Sequence, residues 1–166
     1  MSRTRENKTL AAVIGLGIVG MGLAAFLVYD HYLGSESCSL DPWIGCGEVN
    51  RGPYSTILGV PWSVIGLAGF TSIAVLACVR RYHPERDRNE LIMPAISGLS
   101  LAGVASVVYL NYLEFAVINK ICPYCAASHV VMLLIASLVL WWLFLGRFRG
   151  EKTGQLKTDT ESAGES

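Results

Sequence analysis

The sequence predicts an all-α integral membrane protein, a four-helix bundle with both termini in the cytoplasm. Composition is the first indication, because 52% of the 166 residues are hydrophobic and only 16% are charged, a balance that is rare in water-soluble domains. The second is a set of four runs without Asp, Glu, Lys or Arg: Thr9 to Tyr29, Gly52 to Val79, Leu91 to Leu113 and Ile121 to Gly146. Each run supplies the roughly 20 apolar residues that cross about 30 Å of hydrocarbon. Backbone polar groups must be satisfied inside a bilayer, so each run is expected to be a helix.

The distribution of basic residues predicts the orientation. Eleven of the 13 Lys and Arg residues precede the first run, separate the second from the third, or follow the fourth. Only Arg51 and Lys120 fall on the other side. Because short loops rich in Lys and Arg stay in the cytoplasm, both ends of the chain are expected there. The net charge of zero and the lack of a basic aromatic stripe give no indication of nucleic acid binding.

The chain is expected to hold one membrane domain, residues 10–146, between cytoplasmic tails at 1–9 and 147–166. The first run could also be a signal peptide, but it exceeds the apolar region of about 7 to 15 residues that such signals have. The C-terminal tail is polar, as disordered segments are. We therefore expect a retained first helix and a disordered C-terminal tail.

The predicted topology assigns four of the five cysteines to the extracytoplasmic side. Cys38 and Cys46 lie in "CSLDPWIGC" between the first two helices, and Cys122 and Cys125 lie in "CPYC" before the fourth. Disulfides form and persist on that side of a membrane. A zinc site built from the four is the main alternative, although zinc pairs usually have two to four residues between their cysteines. Cys78, at the inner end of the second helix, is expected to be an apolar filler rather than a palmitoylation site.

Two short motifs resemble soluble folds only in their letters. "GLGIVG", residues 15–20, matches the dinucleotide fingerprint, but that fingerprint needs a preceding strand. Inside a membrane helix the same small residues favour close helix packing. "CPYC" is found in glutaredoxins within a βαβ pattern, and no such pattern surrounds it here.

The "CPYC" stretch has the features of a redox dithiol. Cys125 is expected in or beside the first turn of the fourth helix, where free N–H groups and the helix dipole favour a thiolate. Pro123 suits the first helical turn, and Cys122 then lies on the loop side, where it can meet other thiols. Such a pair can carry two electrons to a lipid-soluble quinone. No metal is expected in this interpretation.

The order of these parts resembles the vitamin K epoxide reductase family, in the form of a bacterial homologue without a fused thioredoxin-like domain. The resemblance covers roughly residues 10–146. It depends on the C-x7-C after the first helix, on "YSTILGVPWSVIG" opening the second, and on "VYLNYLEFAVINKICPYC" leading to the dithiol. It implies that Cys122 and Cys125 form the active-site pair, with Cys125 next to the quinone, and that Cys38 and Cys46 form a loop shuttle pair.

The resemblance also implies positions for quinone contact. Ser55 aligns with a polar family residue that hydrogen-bonds a quinone oxygen, and His129 stands where a tyrosine commonly shares that task. Trp62 is expected either to wall the quinone pocket or to lie in the outer aromatic belt. Gly52 replaces a serine of many relatives. Glu114, near the outer end of the third helix, is expected to be exposed at the membrane interface.

The expected function is a membrane thiol-disulfide oxidoreductase in the cell (inner or plasma) membrane, with its active site on the extracytoplasmic side. Electrons would pass from a separate extracytoplasmic thioredoxin-like oxidase through the two cysteine pairs to menaquinone or ubiquinone, which supports disulfide formation in exported proteins. Reduction of vitamin K epoxide or quinone is the alternative reaction. A Dsb-type oxidoreductase has its quinone-side C-x-x-C between the first two helices, the reverse of the order here. A four-helix scaffold with structural disulfides would have inert cysteines.

Overall fold

The computed structural model describes residues 3–34, 43–82 and 89–163. In chain order its elements are α1 (Arg3–Leu33), α2 (Cys46–Arg51), β1 (Thr56–Ile57), β2 (Val60–Pro61), α3 (Trp62–Tyr82), α4 (Asn89–Tyr112), a π-helical segment (Leu113–Ile118) and α5 (Pro123–Ala163). Four stretches are long and apolar enough to cross a membrane: Asn7–Leu33, Trp62–Tyr82, Leu91–Ile118 and Pro123–Phe144. The prediction of an all-α four-helix membrane bundle is therefore confirmed. The orientation of the termini stays a prediction.

The bundle core is apolar, and so is much of the outer surface. Ile73 of α3, Ile96 of α4 and Ile135 of α5 are almost completely buried at its centre. Large apolar side chains such as Leu101 and Trp141 are about 70% exposed, as expected for a surface that faces lipid. The "GLGIVG" stretch allows α1 to approach α3 closely, because a Cβ at Gly17 would lie 3.1 Å from the Ala74 side chain. The helix-packing interpretation of this motif is confirmed.

The second spanning helix, α3, begins at Trp62, ten residues after the start of its uncharged run at Gly52. Residues between Gly52 and Trp62 form a turn and the two-stranded β1–β2 hairpin, in which Thr56 pairs with Pro61 and Ile57 with Val60. Leu58 and Gly59 join the strands, and both have positive φ angles of 50° and 81°. Two successive left-handed residues suit a tight hairpin turn and break a helix. An uncharged run therefore indicates apolar sequence and does not by itself show where a helix begins.

The helix ends also differ from the prediction on the third and fourth spans. α4 continues into the π-helical segment, which ends at Asn119 in the left-handed conformation. α5 continues to Ala163, beyond residue 146, where the fourth uncharged run ends, whereas the expectation of a disordered tail from residue 147 stays a prediction. Adding residues to an existing helix costs little, and no proline follows Pro123. The division into one membrane domain and two tails stays a prediction.

Candidate active site

Two distant segments of the chain meet at the sulfur atoms of Cys46 and Cys122. The backbone N–H of Ile121 donates to the carbonyl of Trp43 at 3.0 Å, and that of Gly45 donates to the carbonyl of Ile121 at 3.3 Å. Cys46 and Cys122 are each the next residue after this short pairing. Their Sγ atoms lie 3.4 Å apart, and both side chains are buried.

Polar contacts hold α2, which carries Cys46, in this place. Lys120 Nζ lies 2.6 Å from a carboxylate oxygen of Glu48, which joins α2 to the segment before α5. On the opposite side, the Asn50 amide donates to the carbonyl of Leu27 at 2.7 Å and to the Asp30 carboxylate at 3.2 Å. The amide contacts are buried and so contribute more than the exposed ion pair. Cys46 is therefore fixed between α1 and the start of α5.

The described cysteines are in two redox states. Cys46 is disulfide-bonded, whereas Cys78, Cys122 and Cys125 are free thiols. Cys38, the predicted partner of Cys46 in the loop, lies outside the described residues. A disulfide sulfur carries no thiolate for zinc, so this state disfavours a four-cysteine metal site. Cys78 is half-buried on α3, away from the other cysteines.

The helix start favours the thiolate of Cys122, contrary to the expectation for Cys125. Pro123 is the first residue of α5, so Cys122 occupies the capping position before it. The Cys125 N–H donates to Cys122 Sγ at 3.3 Å. Hydrogen bonds from the Cys125 thiol and backbone lower the pKa of Cys122. The cap side chain accepts from the third N–H of a helix, and this local geometry decides which sulfur is stabilised.

A cavity of about 240 Å³ lies between the four spanning helices and receives Cys125 in its wall. Most of the wall is apolar, formed by side chains such as Leu27, Phe70 and Met132. The other three predicted contact residues, Ser55, Trp62 and His129, line the same cavity. Ser55 and Trp62 are far from Cys125 and His129 in the sequence, and the fold brings them to one cavity. Their roles in binding stay predictions.

Trp62 lines the cavity. This holds whether or not its ring also lies in the outer aromatic belt. Its ring packs against that of Tyr109, with 5.6 Å between the ring centres. Its neighbour Ser63 also lines the cavity and is 8% exposed. Within the described part of the chain, neither Trp62 Nε1 nor Ser63 Oγ has a hydrogen-bond partner. Unpaired buried donors are costly, so these two fit a site that takes a ligand with oxygen acceptors. Nothing in the sequence distinguishes Ser63 from a packing residue.

Glu114 is buried rather than exposed at the interface. Its side chain is 3% exposed and lines the cavity with Cys125 and His129. The expectation of interfacial exposure is therefore wrong. The π-helical segment carries the residue at its second position, and such segments occur often at functional sites. The general rule that ionisable residues inside membranes are functional would have found it.

His129 reaches the cavity from the second turn of α5 and is 8% exposed. Its Nδ1 atom lies 3.1 Å from the side-chain nitrogen of Asn111 on α4. The same nitrogen donates to the carbonyl of Val107 at 2.8 Å. The sequence points to His129 but not to Asn111, since an asparagine in a membrane helix also serves as an ordinary packing contact.

The sequence model of the vitamin K epoxide reductase family matches residues 11–140 of the chain. This range begins within α1, ends near the middle of α5, and includes both cysteine pairs of the sequence. The chain therefore belongs to the vitamin K epoxide reductase family. It is a multi-pass membrane protein of a family of oxidoreductases associated with quinones.

Proposed function

We propose that this member of the vitamin K epoxide reductase family is a quinone-dependent thiol-disulfide oxidoreductase. It passes electrons from a separate extracytoplasmic thioredoxin-like protein to menaquinone or ubiquinone and so supports disulfide formation in exported proteins. The main supporting observation is the 3.4 Å between the sulfur atoms of Cys46 and Cys122, together with the position of Cys125 in the cavity wall. The loop pair can react with the helix pair through Cys46 and Cys122. Cys125 of the helix pair faces the cavity between the spanning helices.

The first stage moves two electrons from the loop pair to the helix pair. The reduced partner protein reduces the Cys38–Cys46 disulfide and is itself oxidised to a disulfide. The Cys46 thiolate attacks Cys122 in a Cys122–Cys125 disulfide, so a Cys46–Cys122 bond forms and Cys125 leaves as a thiolate. Cys38 then attacks Cys46, reforms the loop disulfide and releases Cys122 as a thiolate. The two protons lost by the Cys38 and Cys46 thiols convert the Cys122 and Cys125 thiolates to thiols. The described state, with Cys46 oxidised and both helix cysteines free, corresponds to the end of this stage.

The second stage oxidises Cys122 and Cys125 back to a disulfide, with the loss of two electrons and two protons. A quinone in the cavity supplies the chemistry for this step, because it accepts two electrons and two protons. Ser55 and His129 are the groups proposed to bind its oxygens, and Trp62 bounds the cavity. The wall fits such a ligand because it is apolar apart from a few polar side chains, the usual make-up of small-molecule sites.

The proposed location is the cell membrane, with Cys46 and Cys122 at the extracytoplasmic end of the bundle. The location rests on the eleven basic residues assigned to the cytoplasmic side. An oxidising compartment is where a protein oxidase needs its own disulfide renewed. A folded thioredoxin-like partner is expected to react with Cys38, since Cys46 and Cys122 are buried and out of reach of a folded protein.

Two other functions use the same residues differently. Reduction of vitamin K quinone or epoxide would keep both thiol stages and change only the acceptor. A scaffold with two structural disulfides is disfavoured by the free, buried Cys122 beside a disulfide sulfur. A structural role gives no reason to leave a dithiol reduced next to a cavity.

The test compares two reductants on the purified protein with a soluble quinone as acceptor. Cys122→Ala and Cys125→Ala should abolish quinone reduction with any reductant, because these cysteines transfer the electrons. Cys38→Ala and Cys46→Ala should lose activity with a reduced thioredoxin-like protein but keep much of it with a small synthetic dithiol, which can reach Cys122 directly. Cys78→Ala serves as the control and should match the parent. Equal loss from all four variants with the small dithiol, or no quinone reduction by the parent, would contradict the proposal.

A further inference from the structure

Asn111 contacts His129 through an atom whose identity is set by its surroundings. A carboxamide can face a neighbour with either its nitrogen or its oxygen, and the choice is often uncertain. Here one side-chain atom of Asn111 lies 2.8 Å from the carbonyl oxygen of Val107. A carbonyl oxygen only accepts hydrogen bonds, so the atom facing it must be the NH₂ nitrogen. The oxygen in that place would put two acceptors against each other.

The same nitrogen has a second hydrogen, which is available to His129. The distance from Asn111 Nδ2 to His129 Nδ1 is 3.1 Å. Since the amide nitrogen donates, Nδ1 must accept and therefore carries a lone pair. A neutral imidazole has one N–H and one lone pair, so the proton of His129 is on Nε2. Nδ1 is occupied by Asn111, so Nε2 is the ring nitrogen left for a ligand in the cavity that His129 lines.

We propose that Asn111 is a positioning residue that holds His129 in the neutral Nε2–H tautomer, so that His129 serves a quinone as a hydrogen-bond donor and not as a source of protons. The tautomer of His129 does not depend on the proposed function, and only the role of His129 toward a quinone rests on it. If Nε2 gave its proton away, the ring would become an imidazolate, since Asn111 has no proton to release to Nδ1. The two protons of the reduced acceptor then come from the dithiol, which loses two protons when it forms its disulfide.

The cavity contains other groups able to pass such protons inward. The ionisable side chains in its wall besides His129 are Tyr54, Glu114 and Cys125. Cys125 belongs to the dithiol, and Glu114 lies on the π-helical segment that precedes it in the chain. A division of labour follows, in which His129 orients and stabilises an oxygen of the acceptor, and the thiols, together with the Glu114 carboxyl of the wall, supply protons.

The chain contains an internal comparison for this tautomer. His31 Nδ1 lies 2.6 Å from the backbone carbonyl oxygen of Asn50. That oxygen only accepts, so His31 must donate from Nδ1. Two histidines of one protein are thus expected in opposite states at Nδ1, with the proton present in His31 and absent in His129.

The experiment is nitrogen NMR of histidine-labelled protein in lipid nanodiscs without added quinone, with the His129 signals assigned by His129→Gln. The parent should show His129 protonated only at Nε2. In Asn111→Leu both tautomers should appear, and in Asn111→Asp, whose carboxylate only accepts, Nδ1 should become protonated. Ser97→Ala is the matched control, because it removes the same kind of side-chain bond to the preceding turn of α4, 2.8 Å to Met93, and should leave His129 unchanged.

Quinone kinetics on the same variants test the second half. Asn111→Leu should raise the KM for quinone on the order of two- to tenfold, the effect of one weakened hydrogen bond, and Ser97→Ala should not. A protonated Nδ1 in the parent, or an unchanged His129 spectrum in both Asn111 variants, would overturn the assignment of Asn111. A shifted tautomer with an unchanged KM would leave that assignment standing and would instead overturn the role of His129 in quinone binding.

Discussion

The Sγ atoms of Cys46 and Cys122 lie 3.4 Å apart, although 76 positions separate the two residues in the chain. Cys46 is 4% exposed and Cys122 is completely buried. Thiol-disulfide exchange needs an attacking sulfur beside a disulfide sulfur, and this arrangement provides the approach.

This contact predicts a trapped intermediate. Cys125→Ala should accumulate a Cys46–Cys122 disulfide, because Cys122 can attack Cys46 of the loop disulfide, with Cys38 leaving as a thiolate, and Cys125 is no longer present to displace Cys46 from Cys122. Mass spectrometry of peptides from protein isolated under acid quench measures the crosslink.

Cys122→Ala is the paired control for that experiment and should give no crosslink from Cys46 to the "CPYC" segment. A Cys46–Cys125 crosslink of comparable yield in Cys122→Ala would show that either helix cysteine meets the loop. It would contradict the separate tasks assigned to Cys122 and Cys125.

The second prediction concerns the ionisation of Cys122. Hydrogen bonds from Cys125 lower its pKa, so the thiolate should form at lower pH than in an ordinary cysteine. Cys125→Ala removes the thiol donor but keeps the backbone N–H, so the midpoint should rise without losing the whole effect. Thiolate ultraviolet absorbance against pH measures it, in a background of Cys38→Ala, Cys46→Ala and Cys78→Ala in which the Cys46–Cys122 disulfide cannot form. An unchanged or lower midpoint in Cys125→Ala would show that the cause is not the neighbouring thiol.

The third prediction concerns the two hydrogen-bonding residues of the cavity. His129→Ala should lower quinone turnover, whereas His129→Gln should keep more of it, because the glutamine amide donates a hydrogen bond but does not release a proton. Ser55→Ala should weaken quinone binding by about 1 kcal/mol. Steady-state kinetics at varied quinone concentration measure these effects, and the Cys46 disulfide should still form in each variant. Turnover equal to the parent in His129→Ala would return His129 to a packing role.

The fourth prediction concerns topology. A reporter fused after Gly146 should be active only if it works in the cytoplasm, and one inserted near Gly34 only if it works outside. The physical reason is the retention of the basic loops on the cytoplasmic side. The reverse pattern would remove the compartment argument for both cysteine pairs.

The fold class and the key cysteines could be predicted from the sequence because both depend on local properties. Length and apolar composition decide that a segment crosses a membrane, and the C-x-x-C spacing before such a segment marks a redox dithiol. Ser55, Trp62 and His129 required the family resemblance, since each lies alone in its stretch of sequence. Helix boundaries were less accessible, because the hairpin at Leu58 and Gly59 depends on backbone angles within an apolar run.

Three features were decided only by the folded structure, since each depends on how atoms of different residues lie relative to one another. Glu114 is buried because the π-helical segment that carries it faces the cavity. A glutamate at the end of a regular helix need not be buried. The favoured thiolate at Cys122 depends on where α5 begins, one residue after it. The proton position on His129 is set by Asn111, 18 residues earlier in the chain, and hydrogen-bond direction is a property of paired groups that no single residue determines.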